Sequence, residues 1–145
     1  GRCPLLIADG AHNPHSAAKL RDSLGEYFTY RSVVVLIGVS HDKNIEGIVE
    51  ELAQLSPKVV ATCSRHPRAA STTELARAFA SHGIEAVEVE STDKALAAAL
   101  EMAHDEDLVL ATGSLFLAAE VREAIKGIAP ELYWRPATPS APATP

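Results

Sequence analysis

The residues best suited to chemistry stand together in one short segment, Asp-Gly-Ala-His-Asn-Pro-His-Ser at positions 9–16, directly after an apolar run. Asp9 at the end of a strand suits the hydroxyls of a ribose, and it equally suits an Asx turn that caps the loop. His12 precedes a helix amino terminus, where free N–H groups and the helix dipole favour a carboxylate or a phosphate. The alternative for His12 is a loop histidine bonded to the backbone. The segment therefore predicts either a ligand site or a well-capped loop.

Three further patterns bear on the chemistry. His12 and His15 suggest a metal pair, but no third ligand stands at a diagnostic spacing, so we predict no metal site. Ser114 after Gly113 resembles half of a nucleophile turn, but the second glycine of G-x-S-x-G is missing. Ser114 is more simply a helix N-cap whose hydroxyl and neighbouring N–H groups could hold a carboxylate. Neither G-x-G-x-x-G nor G-x-x-x-x-G-K-[ST] occurs, so the chain has no loop that grips a triphosphate by itself.

The elements that must position these residues alternate along the chain. Five short apolar runs are predicted strands, at residues 4–8, 32–38, 58–63, 86–90 and 107–112. Each run is followed by a segment with helical spacing of its apolar residues. Five strands alternating with five helices predict a three-layer α/β/α domain with a Rossmann-like, mostly parallel sheet. The second run, VVVLIG, is apolar without alternation, as a central buried strand should be.

Helix faces and starts can be read locally. The apolar stripe of the first predicted helix consists of Ala17, Leu20, Leu24 and Phe28. Ser71 with Glu74 predicts a capping box, and Asn13 before Pro14 places an N-cap ahead of a residue suited to the first turn. Asn44 and Ser114 are further predicted caps. These caps place the polar loops directly before the helices.

Composition narrows the class of protein. The 145 residues carry a net charge of −6, which argues against a nucleic-acid backbone or an anionic membrane as the main partner. No apolar run approaches the roughly 20 residues of a membrane-spanning helix. The only cysteines are Cys3 and Cys63, without a CxxC motif, so we expect a cytoplasmic protein without disulfides. We predict one domain over residues 1–129 and a disordered, Pro-rich tail over residues 130–145.

Ligands of such sheets gather at the carboxyl ends of the strands. The segments at those ends are residues 9–13, 38–43, 62–68 and 112–114, and they hold most of the loop histidine and arginine residues. We therefore expect Asp9, Gly38, Thr62 and Gly113 to lie along one edge of the sheet. That edge is the predicted functional rim.

Four strings in this order resemble the carboxyl-terminal domain of folylpolyglutamate synthase and dihydrofolate synthase, in the Mur ligase family: DGAHNPHS, IGVSHDKNIEGIVEEL, the loop at 62–68 and ATGSLFLAAEVR. The resemblance runs from about Pro4 to Ile125. It implies an ATP-dependent ligase in which a folate or dihydropteroate carboxylate becomes an acyl phosphate that the amine of L-glutamate attacks. The P-loop and the magnesium site of such enzymes lie on a central domain, so the chain alone is predicted to be inactive and to hold no catalytic residue of its own.

The resemblance also assigns residues. It implies that Asp9 contacts the ATP ribose and that His12 and Ser114 help to hold glutamate. Weaker candidates, supported by their loop positions, are Asn13, Lys43 and Arg68. The implied partners are ATP with magnesium, L-glutamate and folate or dihydropteroate, and we expect a monomer.

Two other interpretations stay open at this point. One is a domain of a peptidoglycan or cyanophycin-type Mur ligase, since the His-Asn-Pro string recurs in those enzymes. The other is a binding module that uses the rim without chemistry. The strings DGAHNP and GSLFLAAEVR favour the folate branch.

Overall fold

Every predicted strand is present in the computed structural model, which describes residues 4–126. The strands are β1 Leu5–Ala8, β2 Val33–Ile37, β3 Lys58–Ala61, β4 Ala86–Glu88 and β5 Leu108–Thr112. The helices that follow them are α1 Pro14–Tyr27, α2 Ile45–Ala53, α3 Thr72–Ala80, α4 Thr92–Met102 and α5 Leu115–Lys126. The predicted tail at 130–145, and with it the predicted domain boundary, lies outside the described residues.

The five strands form a single sheet in the order β1-β5-β2-β3-β4, and all four pairings are parallel. The last of the described strands, β5, lies between the first two. Leu108 of β5 is in register with Leu5 on one side and with Val33 on the other. Because the strands are parallel, all their carboxyl ends meet at one edge of the sheet, as predicted.

Helices cover both faces of the sheet. The core on one face contains side chains from α1, α2 and α3, and the core on the other contains side chains from α4 and α5. The chain moves in one direction across the sheet from β2 to β4 and then returns to place β5. The connection from β4 to β5 runs in the opposite direction, so it is right-handed, as such connections usually are, only if its helix lies on the other face. Helix α4 does lie there. The predicted three-layer architecture is confirmed.

Burial follows the sequence pattern in the central strands and, with one correction, in the apolar stripe of α1. All residues of β2 and β5 are buried, as expected for central strands. The α1 stripe is buried at Ala17, Leu20 and Leu24, but Phe28 is 39% exposed. The prediction for Phe28 is wrong because α1 ends at Tyr27 and the backbone of Phe28 is extended. Among the described residues, no helix is both long and apolar enough to cross a bilayer.

Side-chain caps start the helices where the sequence predicted them. The Asn13 carboxamide accepts the Ser16 N–H at 2.7 Å, and the Ser16 hydroxyl oxygen accepts the Asn13 N–H at 3.1 Å, so the two residues form a full capping box. Asn44 caps α2 and Ser71 caps α3, each accepting a backbone N–H three residues on. The Glu74 side chain does not accept the Ser71 N–H in return, so the predicted capping box at Ser71 is only half formed. The loops before these helices are therefore held in fixed positions.

Candidate functional site

A cleft opens at the carboxyl ends of β1, β5 and β2, because the helices that follow these neighbouring strands lie on opposite faces of the sheet. At their carboxyl ends, β1 and β2 lead to helices on one face, whereas β5 between them leads to α5 on the other. Diverging connections leave a crevice between the loops, which is where open α/β sheets bind ligands. The cleft measures about 190 Å³. Its lining residues are His12, Ser40, Lys43, Gly113, Ser114, Leu115 and Phe116.

Gly113 lets the three loops approach one another. Its φ is +116°, and a Cβ at this position would lie 2.3 Å from the Gly38 carbonyl oxygen. Its N–H donates to the Ala11 carbonyl oxygen at 3.0 Å. A side chain at position 113 would strain the backbone and push the β2–α2 and β5–α5 loops apart. The floor of the cleft therefore requires glycine here.

The His12 ring contacts the backbone through one nitrogen and also lines the cleft. Its Nδ1 lies 2.9 Å from the Gly10 carbonyl oxygen. A carbonyl oxygen only accepts, so this contact assigns a hydrogen to Nδ1. The other ring nitrogen, Nε2, makes no hydrogen bond within residues 4–126 and is left for a ligand. Neutral His12 could accept from an ammonium group, and protonated His12 could donate to a carboxylate.

Ser114 is the cap of α5, as predicted, and is only 6% exposed. Its Oγ accepts the Leu117 N–H at 2.9 Å. The hydroxyl hydrogen has no acceptor in the described part of the chain, so it can donate to a ligand oxygen. The first-turn N–H groups of α5 lie beside it, where the helix dipole favours negative charge. This wall of the cleft therefore suits a carboxylate.

Lys43 and Asp9 supply charge at and beside the cleft. Lys43 is exposed and brings an ammonium group to the wall formed by the β2–α2 loop. Asp9 does not line the cleft but begins the same loop as His12. One oxygen of Asp9 accepts the Ala11 N–H at 2.8 Å, which is the Asx-turn alternative. Its second oxygen makes no hydrogen bond in the described range, so a ligand contact there is compatible with the turn.

The two other predicted site residues lie outside the cleft. Asn13 is exposed and serves as the α1 cap. The Arg68 guanidinium lies 3.8 Å from Asp42, and its side chain does not line the cleft. Nowhere within residues 4–126 do three His, Cys, Asp or Glu side chains come together as a metal site. The cleft thus combines His12, Lys43 and Ser114 without Asn13 or Arg68.

Three residues at or beside the cleft were not singled out from the sequence, although Ser40 and His66 lie in the strand-end segments 38–43 and 62–68. Ser40 and Phe116 line the cleft, and the His66 ring stacks on Phe116 with a centroid distance of 4.1 Å and an interplanar angle of 27°. Phe116 is 50% exposed although it is apolar. For Phe116 the sequence signal was an apolar Leu-Phe pair in the first turn of a predicted helix, where one of the two must face outward.

A second depression, of about 450 Å³, lies at the opposite edge of the sheet among Arg31 and residues 103–106. Asp107 beside it is buried, and both of its oxygens are occupied. The Ser32 hydroxyl donates to Oδ1 at 2.8 Å, and the His104 N–H donates to Oδ2 at 2.8 Å. The His104 N–H, together with Ser32 and the Arg31 charge, holds the pKa of Asp107 below its ordinary value. These contacts tie β2 to β5 and leave neither oxygen of Asp107 without a donor.

Two hydroxyls at the carboxyl edge contrast with this arrangement. The Thr62 and Thr112 side chains are fully buried at the ends of β3 and β5, and neither Oγ1 has a hydrogen-bond partner within the described residues. An unpartnered buried hydroxyl costs about 1–3 kcal/mol. The carboxyl edge is therefore less completely satisfied than the rest of the sheet.

The comparisons with known proteins agree with this geometry. Residues 2–115 match the family model described as Mur ligase, glutamate ligase domain. A probable bifunctional folylpolyglutamate synthase/dihydropteroate synthase of Halobacterium salinarum is 35% identical over 124 residues, which are 84% of this chain and 15% of that protein. The chain thus spans only a small part of that relative.

Solved structures give the same assignment. Escherichia coli FolC in complex with ADP is 30% identical with a TM-score of 0.76, over 88% of this chain and 30% of that one. A bifunctional folylpolyglutamate synthase/dihydrofolate synthase with Mn, AMPPNP and L-glutamate bound is 29% identical with a TM-score of 0.77, over 87% and 30% of the two chains. In both comparisons this chain matches less than a third of the other chain.

Proposed function

The chain belongs to the Mur ligase family as a glutamate ligase domain, and we propose that it is the carboxyl-terminal domain of an ATP-dependent ligase that adds L-glutamate to folate or dihydropteroate. One observation carries the proposal: a cleft at the diverging strand ends combines an imidazole, an ammonium group, a capped hydroxyl and open helix N–H groups. This set suits an amino acid with two carboxylates. The solved relative that holds L-glutamate supports the same choice.

In the proposed reaction, ATP first phosphorylates the folate or dihydropteroate carboxylate. The glutamate amine then attacks the carbonyl carbon of the acyl phosphate, so that a C–N bond forms, the C–O bond to phosphate breaks and the amine loses a proton. The domain's part is to hold the amine in line and to keep water from the acyl phosphate when it closes over the rest of the enzyme. Neither phosphate-binding glycine motif occurs in the sequence, so we assign the triphosphate and its magnesium ion to the remainder of the protein.

We assign roles from the contacts already described. Lys43 and the Ser114 hydroxyl bind the glutamate carboxylates, because one supplies positive charge and the other an unused donor. His12 faces the amine or a carboxylate through Nε2, which the Gly10 contact fixes in direction. Asp9 turns its free oxygen to the ATP ribose while its other oxygen holds the Asx turn. Asn13 shapes the loop as the α1 cap.

Steady-state kinetics of the full-length gene product test these roles. Truncating a group that binds a charged ligand costs about 1–3 kcal/mol, or about 5- to 150-fold in an apparent constant. We expect His12→Ala and Ser114→Ala to raise the KM for L-glutamate by such a factor, and Asp9→Ala to raise the KM for ATP. His15→Ala is the matched control, since His15 is exposed three residues away and does not line the cleft.

Two outcomes would contradict the proposal. An unchanged KM for L-glutamate in both His12→Ala and Ser114→Ala would show that glutamate does not bind in this cleft. The proposed ligase activity would be wrong if the wild-type protein consumes no ATP in the presence of L-glutamate and dihydropteroate or a reduced folate. In that case, a gene that encodes no P-loop upstream of residue 1 would favour the binding module.

A further inference from the structure

The β3–α3 loop, residues 63–70, touches both walls of the cleft without lining it, and we call it the support loop. On one side, Ala69 forms an antiparallel bridge with Ser40, and the Arg68 carbonyl accepts the His41 N–H at 2.8 Å. On the other side, the His66 ring stacks on Phe116. A shift of the support loop would therefore move the two walls relative to each other.

Helix α5 contacts the support loop through side chains on one face of the helix. Phe116, Glu120 and Glu123 follow at spacings of four and three residues and so share a face of the helix. Glu123 accepts from the Arg65 guanidinium at 2.9 Å, and this carboxylate raises the pKa of Arg65 above its ordinary value. Glu120 accepts the backbone N–H of Arg65 at 2.7 Å. Of these two contacts with α5, only that of Glu120 holds the main chain of the loop.

Glu120 is also tied to a third element. Its side chain is 11% exposed, and its second oxygen accepts the hydroxyl of Thr92, the first residue of α4, at 2.8 Å. The Arg65 side chain that covers it is 70% exposed and adds an ion pair at 3.5 Å. A carboxylate buried to this degree is costly to leave without its donors. The loop, α4 and α5 are therefore held as one unit.

We propose that Glu120 is a positioning residue for the cleft. By holding the Arg65 N–H it fixes the support loop. Through the His66–Phe116 stack and the Ser40–Ala69 bridge, the loop then sets the distance between the wall with Ser114 and the wall with Lys43. The inference rests on the proposed function in taking L-glutamate as the ligand of the cleft. Glu120 itself does not line the cleft.

Three variants separate positioning from general stability. Glu120→Ala removes both hydrogen bonds. Glu120→Gln can keep both: its carbonyl oxygen accepts from Arg65, its amide donates to the Thr92 oxygen, and the Thr92 hydroxyl turns to the Cys63 carbonyl at 3.2 Å. Val121→Ala is the matched control, since Val121 is the next residue of α5 and is fully buried on the sheet side. It destabilises the same helix without touching the support loop.

Two measurements decide the matter. In the full-length gene product, we expect Glu120→Ala to raise the KM for L-glutamate about 10- to 100-fold, as displaced binding groups do. Glu120→Gln should restore a value within a few-fold of the wild type. Val121→Ala should lower the unfolding temperature without raising that KM. In the 145-residue chain without ligand, the NMR signals of the Ser40 and Lys43 amides and the Phe116 ring should shift in Glu120→Ala alone.

The proposal is overturned if Glu120→Ala leaves those NMR signals at their wild-type positions. It is also overturned if Val121→Ala raises the KM for L-glutamate as much as Glu120→Ala does. A wild-type enzyme without glutamate-dependent turnover would defeat the proposed function instead. The ligand-free NMR comparison would still decide whether Glu120 sets the geometry of the cleft.

Discussion

The two edges of the sheet both carry charged groups and a surface depression, but they differ in how far their buried polar groups are satisfied. The depression at the amino edge, beside Arg31 and Asp107, is the larger, at about 450 Å³ against about 190 Å³ for the cleft at the carboxyl edge. At the amino edge, both oxygens of Asp107 are bonded within the protein. At the carboxyl edge, His12 Nε2 and the Ser114 hydroxyl hydrogen have no partner within residues 4–126. The side chains of His104, Asp105 and Glu106 at the amino edge are exposed to solvent, so what distinguishes the two edges is unused hydrogen-bonding capacity on buried or partly buried groups, rather than volume or charge.

The largest expected effect concerns the close packing of the loops at the carboxyl edge. Gly113→Ala should lower the free energy of unfolding by about 3–5 kcal/mol, because it adds strain at positive φ to a clash with the Gly38 carbonyl. Urea unfolding measures the change. Gly25→Ala is the control, because Gly25 lies inside α1 with open space around it. This variant should raise the free energy of unfolding by about 0.5–1 kcal/mol. A loss below about 1 kcal/mol for Gly113→Ala would show that the loops of the cleft part easily.

The next effect tests whether the amino edge is structural alone. Asp107→Ala removes two hydrogen bonds to a buried carboxylate and should cost about 2–3 kcal/mol at neutral pH, with no change in the KM for L-glutamate. Asp105→Ala, at an exposed neighbouring acid, is the control. A raised KM for L-glutamate in Asp107→Ala would break the distinction between the edges.

The same residue predicts a pH dependence. The pKa of Asp107 is lower in the folded chain than its ordinary value of about 3.9, so the folded state favours the ionised carboxylate. Its contribution to stability is present above about pH 4 and is lost as the pH falls through the folded-state pKa. The difference in unfolding free energy between wild type and Asp107→Ala should therefore narrow below about pH 4. A difference that stays constant down to pH 2 would contradict this assignment.

The smallest effect compares one arginine from each edge. The Arg31 and Arg68 side chains are 63% and 66% exposed and lie 3.9 and 3.8 Å from a carboxylate. The partner of Arg31 is the buried Asp107, whereas the partner of Arg68 is the half-exposed Asp42. We expect Arg31→Ala to cost up to about 1 kcal/mol and Arg68→Ala less than about 0.5 kcal/mol in thermal or urea unfolding. Equal losses of unfolding free energy in the two variants would mean that burial of the carboxylate partner does not strengthen the ion pair.

Most of the fold could be predicted from the sequence. Apolar runs and helical stripes located all ten elements, with strand ends within two residues, and Asn13, Asn44, Ser71 and Ser114 were recognised as caps. The order of the strands could not be predicted. Hydrophobic periodicity reports how deeply a segment is buried and says nothing of which strand lies beside it. The position of β5 between β1 and β2 therefore emerged only from the structure.

The site was predictable where residues stand directly at strand ends. His12, Lys43 and Ser114 line the cleft, while Arg68 instead faces Asp42. The supporting contacts were not predictable, because each joins segments far apart in the chain. Glu120 illustrates the reason: in the string Ala-Ala-Glu-Val-Arg it is typical of a solvent-facing helix position, and only the folded loop around Arg65 shows that it is mostly covered.

The central position of β5 has a consequence for the order of folding. During synthesis β2, β3 and β4 can pair as soon as they appear, but β1 pairs only with β5, where Leu5 meets Leu108. The earliest strand must therefore wait for the latest, and closing so long a loop slows folding. The loops of Asp9 and Ser114 come together only at that step. The ligand cleft is thus completed last, and a chain ended before Leu108 would leave the first strand without its partner and its apolar side chains open to aggregation.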